Sequence, residues 1–239
     1  RNLERGDRML SLCAVSCDGM ALKHLPAALQ SDKEVVLRAV HQNGLALQFA
    51  ACRLQSDREV VLRAVRQNGD AIQFASRGLM VDFEIAVEAV SRTAAAMRHL
   101  HPAARSDRQF VLAAVVGNHR ALAEASADLK QDKAYVLEVV AQHGLALAHV
   151  APALRADREV VLQAVSVHGH ALQYASEELR DDPEVALAAV AERGHGLQHA
   201  SRRLRSDPSF AVEALARNGT ALQHISEGLR ADVTEAMLL

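Results

Sequence analysis

The hydrophobic and polar positions of this chain repeat with a period of 25 residues. An Asp marks the same point of every period, and apolar residues follow it at fixed distances. We count positions within each repeat from this Asp, which is position 0. An unbroken period of this kind is typical of tandem structural repeats. Repeats one to nine span residues 7–231, and a partial tenth begins at 232. The Asp residues are Asp7, Asp32, Asp57, Asp82, Asp107, Asp132, Asp157, Asp182, Asp207 and Asp232.

The first half of each repeat predicts an α-helix, here called helix A. The Asp is expected to be its N-cap, because a carboxylate accepts hydrogen bonds from the free N–H groups of the first turn. Pro183 and Pro208 follow directly, at a position that tolerates proline. Apolar residues at positions 3, 4, 5, 7 and 8 cover about 200° of the helix surface, which predicts burial on two sides. Gly at position 12 predicts a left-handed stop, so helix A is expected to be about eleven residues long.

The second half of each repeat predicts a shorter, interrupted element, here called segment B. Ala at position 14, Leu at 15, a small residue at 18 and Leu at 22 share one helical face. Pro26, Pro102 and Pro152 fall at position 19 or 20, where proline would break a helix. We therefore expect about six residues of helix followed by a single Ser-capped turn, as at residues 176–179, with 3₁₀ geometry as an option for that turn.

A single hairpin of this kind cannot bury its own apolar face, whereas a stack of them can. The predicted fold is all-α: a right-handed α-solenoid, or superhelix, of nine 25-residue two-helix repeats plus a partial tenth. We expect one repeat domain over residues 1–239, with repeats that start at 7, 32, 57, 82, 107, 132, 157, 182 and 207. A compact bundle is the alternative, and the unbroken period disfavours it. Because the chain begins with Arg1 and stops inside the pattern at Leu239, we expect it to be part of a longer protein.

The repeat resembles a known family. In repeat three, residues 57–65 read Asp-Arg-Glu-Val-Val-Leu-Arg-Ala-Val, Asn68-Gly69 follow, and residues 71–76 read Ala-Ile-Gln-Phe-Ala-Ser. This pattern is similar to the DUF4116 repeat, and its plan is similar to leucine-rich-variant and HEAT-like solenoids. The resemblance covers residues 7–231 and implies a helical repeat array without implying an activity. Repeats four and five depart most, because Ala94 and His119 replace the glycine, so we expect a bend around residues 92–120.

Composition and charge exclude several classes of protein. The 239 residues are half apolar and carry a formal net charge of −2, which excludes a strongly basic nucleic-acid binder and an acidic disordered chain. Aromatic residues make up 3% with no Trp, which disfavours a β-sandwich. No apolar run is long enough to span a membrane. Cys13, Cys17 and Cys52 are too few and too clustered for a disulfide framework, so we expect a reducing intracellular compartment, cytoplasm or organelle interior.

Position 17 carries the candidate partner-binding residues. Eight of its nine members are His or aromatic, and we call them the ring column. One interpretation is a ring-lined ledge that binds a partner helix or peptide. The other is that each ring covers the Ala of the next repeat and has no ligand. Gln at position 16 is expected to hydrogen-bond neighbouring backbone. The ring column is His24, Phe49, Phe74, His99, His149, Tyr174, His199 and His224.

Position 23 is basic in six consecutive repeats, which we call the basic column. Together with the basic residues at position 1, this edge could follow a phosphate backbone. However, each basic pair flanks the capping Asp and Glu often follows at position 2, so most of the charge should cancel locally. The aromatic and basic groove expected for single strands is also weak. The basic column is Arg105, Lys130, Arg155, Arg180, Arg205 and Arg230.

Four histidines of repeats seven to nine form a weak candidate for a metal site. His195 and His199 are four residues apart and are expected to share one helix face, while His170 and His224 occupy the same two columns in neighbouring repeats. Histidines at such spacing can bind Zn²⁺ or a similar metal. No acidic or Cys ligand accompanies them in the sequence, and stacked helices are about 10 Å apart. We therefore expect solvated histidines and no cofactor.

The sequence contains no recognisable catalytic set. A Gly-rich phosphate loop, an H-E-x-x-H motif and a nucleophile elbow are all absent from it. We therefore expect a non-enzymatic α-solenoid that binds protein partners, as a scaffold, an adaptor or an accessory subunit of a larger assembly. Two alternatives stay open: nucleic-acid binding along the basic column, and a metal protein or small enzyme that uses the four histidines.

Overall fold

The computed structural model describes the backbone of residues 2–193 and 195–231, and the side chains of 8–191 and 195–231. Every regular element in these ranges is helical, which confirms the all-α prediction for this part of the chain. The backbone forms two compact units, Arg1–Ala125 and Ser126–Leu239, which we describe separately as the N-terminal and C-terminal units. Gly194 and the partial tenth repeat from Asp232 lie outside the described residues.

Helix A is present in each described repeat, and in repeats two to nine it has close to the predicted length and begins directly after the capping Asp. In repeat three, the carboxylate of Asp57 accepts hydrogen bonds from the N–H groups of Glu59 and Val60, at 3.0 and 3.2 Å. The N-cap prediction for Asp7 is wrong, because residues 2–6 extend the first helix. The helices A are Asn2–Cys17, Lys33–Gln42, Arg58–Gln67, Phe83–Arg92, Arg108–Gly117, Lys133–Gln142, Arg158–Val167, Pro183–Arg193 and Pro208–Arg217.

Segment B has the expected two parts, but their geometry is the reverse of the expectation: the longer part is 3₁₀ and the single turn after it is α-helical. Asn43 shows why. Its backbone is extended and its side-chain oxygen accepts from Leu45 N at 3.0 Å. Its carbonyl accepts from Ala46 N, three residues on, at 2.9 Å, which is the 3₁₀ pattern.

The bounds of segment B vary little between repeats. The 3₁₀ helices are Gly19–His24, Gly44–Phe49, Gly69–Phe74, Ala94–His99, Gly144–His149, Gly169–Tyr174, His195–His199 and Gly219–Gln223. The α-helical turns are Ala27–Gln30, Cys52–Gln55, Arg77–Met80, Ala127–Gln131, Pro152–Arg155, Glu177–Arg180 and Arg202–Arg205. Two repeats are exceptions, since Pro102–Ser106 is 3₁₀ and Ala121–Glu124 is α-helical.

The glycine at position 12 allows two backbones to approach closely. None of the described glycines has a left-handed φ, so the predicted left-handed stop is wrong. A Cβ added to Gly44 would instead lie 2.3 Å from the carbonyl oxygen of Ala64, in helix A of the next repeat. The corresponding distance is 2.2 Å at Gly144 in the C-terminal unit. Glycine is therefore required so that segment B can touch the next helix A.

Side chains at the end of helix A hold this close approach together. The amide oxygen of Gln67 accepts a hydrogen bond from Gly44 N at 2.6 Å, and its Nε2 donates to the carbonyl of Gln42 at 3.2 Å. In the C-terminal unit, His168 Nδ1 accepts from Gly144 N at 3.2 Å. Both arrangements satisfy a backbone N–H that the contact between repeats would otherwise bury without a partner.

A second set of backbone hydrogen bonds joins neighbouring turns within each unit. The N–H at position 19 donates to the carbonyl at position 23 of the preceding repeat. Ser76 N donates to Gln55 O at 2.9 Å in the N-terminal unit, and Ser201 N donates to Arg180 O at 2.9 Å in the C-terminal unit. Successive repeats are thus linked at a fixed register.

The core lies at positions 3, 4, 7 and 8 of helix A and at positions 14 and 15 of segment B. In repeat three the helix A residues are Val60, Val61, Ala64 and Val65, and all four are fully buried. Leu62 at position 5 is only half-buried. The predicted apolar stripe is therefore narrower than expected in this repeat, whereas Leu187, at position 5 of repeat eight, is buried.

The contact between repeats four and five uses different residues. Here the glycine is Gly117 at position 10, where a Cβ would lie 2.5 Å from Ser91 Oγ. The rings of Phe83 and Phe110 also meet edge to face, with centroids 6.1 Å apart. The close approach is thus made by helices A, which compensates for Ala94 at position 12. The bend expected around residues 92–120 stays a prediction.

Ion pairs connect successive helices A at their N-termini. The cation at position 1 reaches the Asp at position 0 and the Glu at position 2 of the next repeat. Lys33 Nζ lies 2.8 Å from Asp57 and 2.7 Å from Glu59. The same arrangement recurs at Arg8, Arg58, Lys133 and Arg158. These five basic residues at position 1 are therefore paired with carboxylates.

These ion pairs predict a loss of stability in acid. The Lys33 ammonium holds the pKa of Asp57 below its ordinary value, and Lys133 does the same for Asp157. A lowered native pKa stabilises the fold above the unfolded value of about 3.9, and this contribution disappears as the pH falls through the native value. We expect the urea midpoint to fall between pH 5 and pH 3. This fall in the urea midpoint should be smaller in a Lys33→Gln, Lys133→Gln double variant than in a Lys23→Gln control. An equal fall in the two variants would contradict the assignment of the acid sensitivity to these ion pairs.

Candidate binding surfaces

A groove of about 500 Å³ lies between the helices A of repeats two and three. Its apolar part is made by Leu37 and Leu62, both at position 5 and both half-buried. The apolar pattern places position 5 on the buried face and therefore does not predict this groove. The available signal was that position 5 lies at the edge of the apolar stripe. The lining residues are Glu34, Leu37, Arg38, His41, Glu59, Leu62, Arg63 and Arg66.

The charges of this groove are unevenly distributed along the two helices. Glu34 and Glu59, near the helix N-termini, are paired with Arg8 and Lys33. Nearer the C-termini, Arg38 and Arg63 are exposed. The groove thus combines apolar side chains with the exposed positive charge of Arg38 and Arg63 at one end.

A groove of the same kind occurs in the C-terminal unit. It has a volume of about 660 Å³ and lies between the helices A of repeats seven and eight. Leu162 at position 5 is again half-buried. The groove therefore recurs in both units, while its polar lining differs. The lining residues are Arg158, Glu159, Leu162, Gln163, Ser166 and Ala188.

The ring column lies at the edge of the 3₁₀ helices. His24 and His99 are exposed, and the other six members are half-buried. His99 Nε2 lies 3.8 Å from Asp70 Oδ1 of the preceding repeat. This burial is compatible with both interpretations of the column, so its role in partner binding stays a prediction.

Gln at position 16 behaves as expected in the N-terminal unit. The Nε2 of Gln48 donates to Leu45 O at 3.1 Å, and the Nε2 of Gln73 donates to Asp70 O at 3.0 Å. Gln198 differs, because its Nε2 lies 3.3 Å from His170 Nδ1. These glutamines thus contact their own surroundings and do not form one continuous surface.

The basic column is mostly half-buried, with Arg230 exposed. Position 23 side chains contact the backbone of their own repeat. Gln55 Nε2 donates to Leu47 O at 3.2 Å, and Arg205 Nε donates to Ala200 O at 3.2 Å. Part of this column therefore supports segment B. Five of the position 1 cations are paired with carboxylates as well, so much of the positive charge that tracking a phosphate backbone requires is neutralised locally.

The four histidines of repeats seven to nine pair in a different way from the prediction. His170 Nδ1 lies 3.0 Å from His199 Nε2, and His195 Nδ1 lies 3.1 Å from His224 Nε2. Each pair joins position 13 of one repeat to position 17 of the next, much closer than the expected 10 Å. His195 and His199 do not share a face, because residues four apart in a 3₁₀ helix diverge.

Burial and neighbouring cations lower the pKa of two of these histidines. For His199 the causes are desolvation, then His170, His224 and Arg180. For His224 they are desolvation, then His195, His170 and Arg205. These two rings therefore favour the neutral form. Across the side chains that the structure describes, no group of three or more His, Cys, Asp or Glu is placed to hold a metal ion.

Two further sequence features can be located. Cys13, Cys17 and Cys52 are exposed free thiols. Within the described ranges, no helix has the length and apolar character needed to cross a membrane.

The alternation of helix A with a 3₁₀ helix and a short α-turn defines a tandem helical-repeat protein. The model of DUF4116, a domain of unknown function, matches six times in tandem, so the chain belongs to this family and the resemblance noted in the sequence is confirmed. The matches are residues 7–51, 32–80, 57–103, 107–155, 157–201 and 182–230. No curated protein and no solved structure gives a significant match.

Proposed function

We propose that this chain is a non-enzymatic scaffold or adaptor that binds protein partners in the grooves between successive helices A, as an accessory subunit of a larger assembly. The observation that carries the proposal is the groove of repeats two and three, with its counterpart in repeats seven and eight. Repeat proteins bind through surfaces that neighbouring repeats build together. The right-handed superhelix of nine repeats is part of the same proposal.

The groove has the composition of a protein-binding surface. Leu37 and Leu62 offer half-buried apolar area to a partner side chain, and the charged residues around them form a polar rim. An apolar centre within a polar rim is the usual anatomy of an interface. Two kinds of contact within each unit keep successive repeats at a constant separation. One is the close approach of position 12 to the next helix A, as at Gly44 and Ala64, and the other is the backbone hydrogen bonds between neighbouring turns.

Partner binding can be tested with a variant of the groove. We expect a Leu37→Gln, Leu62→Gln double variant to recover at least about tenfold less of each specific partner than the wild type, since a few central residues carry most of the binding energy. The measurement is quantitative affinity capture from native extract, with thermal melting to show that both proteins fold.

A ring-column variant is the matched control. Phe49→Leu with Phe74→Leu, at position 17 of repeats two and three, should leave capture unchanged. If the ring-column variant captured less partner while the groove variant captured as much as the wild type, the binding surface would be the ring column and our assignment would be wrong. Failure of the wild type to retain any protein would contradict the scaffold function itself.

A further inference from the structure

Three arginines line one cavity of the C-terminal unit. The cavity has a volume of about 450 Å³ and lies between segments B of repeats seven and eight, away from the grooves between helices A. Arg180 comes from repeat seven, and Arg202 and Arg205 come from repeat eight. The other lining residues are Glu177, Gln198, His199, Ala200 and Ser201.

The cavity carries net positive charge. Among its lining residues, Glu177 alone is a carboxylate, and it is 92% exposed and 3.6 Å from Arg180. An ion pair this exposed to solvent has a small interaction energy. The nearby carboxylate of Asp181 is occupied, because it accepts from Arg203 Nε at 2.9 Å and from the Ser201 hydroxyl. Three guanidinium groups therefore face a space with one weakly held counter-charge.

One donor of this cluster is left without an acceptor. Arg180 Nε is buried and has no hydrogen-bond partner in the part of the chain that the structure describes. A buried donor without a partner is costly. A ligand that brings acceptor oxygens between Arg180 and Arg202 would remove that cost and the repulsion of the cations together.

His199 forms one wall of the same cavity, and its ring contacts His170 of the preceding repeat. Gln198 Nε2 and His199 Nε2 both lie near His170 Nδ1, at 3.3 and 3.0 Å.

We propose that this cavity binds a phosphate group, either as free inorganic phosphate or as the phosphate of a phosphorylated side chain. Guanidinium groups match phosphate through paired N–H donors. A discrete anion fits better than a nucleic acid, because Arg158, the position 1 cation of repeat seven, is paired with Asp182 and Glu184 and Arg205 Nε is bound to Ala200 O. The positive charge is therefore local and does not follow the repeats. This inference is independent of the groove.

The test is calorimetric titration of the full 239-residue chain with inorganic phosphate at pH 7 and low salt. We expect one saturable site, and at least about tenfold weaker binding in Arg180→Gln and in Arg202→Gln, because charge-assisted hydrogen bonds are lost. The control is Arg77→Gln, at the position of Arg202 in repeat three, which should bind as the wild type does. Thermal melting of each variant shows that it folds.

A phosphoserine peptide and a single-stranded oligonucleotide complete the experiment. If phosphoserine displaces phosphate and binds more tightly, the natural ligand is borne by a protein; equal affinity indicates the free anion. The proposal is overturned if phosphate shows no saturable binding below roughly 10 mM, or if Arg77→Gln weakens binding as much as Arg202→Gln. It is also overturned if the oligonucleotide binds while phosphate does not.

Discussion

Replacement of Gly44 by alanine is expected to lower the free energy of unfolding by about 2–3 kcal/mol. The new Cβ would lie 2.3 Å from the carbonyl oxygen of Ala64 and 3.2 Å from its carbonyl carbon. Both atoms belong to the backbone of a helix, so neither can rotate away. The two repeats would have to separate, which also stretches the 2.6 Å hydrogen bond between Gly44 N and Gln67. Urea denaturation followed by circular dichroism measures the loss.

Two other glycines provide controls for this prediction. A Cβ at Gly78 or Gly219 meets nothing within 4 Å among the described residues, and Gly219 is itself at position 12. Alanine at Gly78 should change stability by less than about 1 kcal/mol, with a small gain from the reduced entropy of the unfolded chain. If the Gly44 variant proved as stable as the Gly78 variant, the close approach between repeats would not be as tight as described.

Replacement of Asp57 by alanine is expected to lower the free energy of unfolding by about 1–2 kcal/mol, the usual cost of removing an N-cap. The Asp57 carboxylate accepts two N–H groups of helix Arg58–Gln67, at 3.0 and 3.2 Å. It also accepts the Lys33 ammonium of the preceding repeat at 2.8 Å. The alanine variant loses both roles, and urea denaturation at pH 7 measures the result.

Asparagine separates the two roles of Asp57. Asp57→Asn keeps an oxygen that can cap the helix and removes the charge that pairs with Lys33, so its loss should be clearly smaller than that of the alanine variant. Asp128→Ala, at an exposed position of a short turn, should cost little. Equal losses in the asparagine and alanine variants would show that the ion pair, and not the cap, accounts for the stability at this residue.

The elements that depend on local interactions could be predicted from the sequence. Asp57 caps its helix through residues two and three positions away, so the period of Asp residues located every helix A except the first. Pro152 predicted the break within segment B for a similar reason, because its effect on the backbone is local. The length of helix A and the all-α class followed from these signals together with the apolar period.

The remaining features depend on contacts between repeats, which the period alone does not give. Gly44 has a sequence context that fits a left-handed stop, and only the position of Ala64 in the next helix shows that close approach is the reason. His170 meets His199 because position 13 lies opposite position 17 of the next repeat. The groove at Leu37 has the same origin, since it exists only where two helices A lie side by side.

The central claim is that this chain binds proteins, and affinity capture at two salt concentrations with nuclease treatment tests it most directly. Residues 1–239 serve as bait in native extract, at about 100 mM and about 500 mM salt, since contacts to phosphate backbones weaken steeply over such a range. We predict a defined set of proteins that survives both high salt and nuclease. Recovery of RNA or DNA that disappears at high salt, with no protein remaining after nuclease, would contradict the claim and favour the basic column as a nucleic-acid surface.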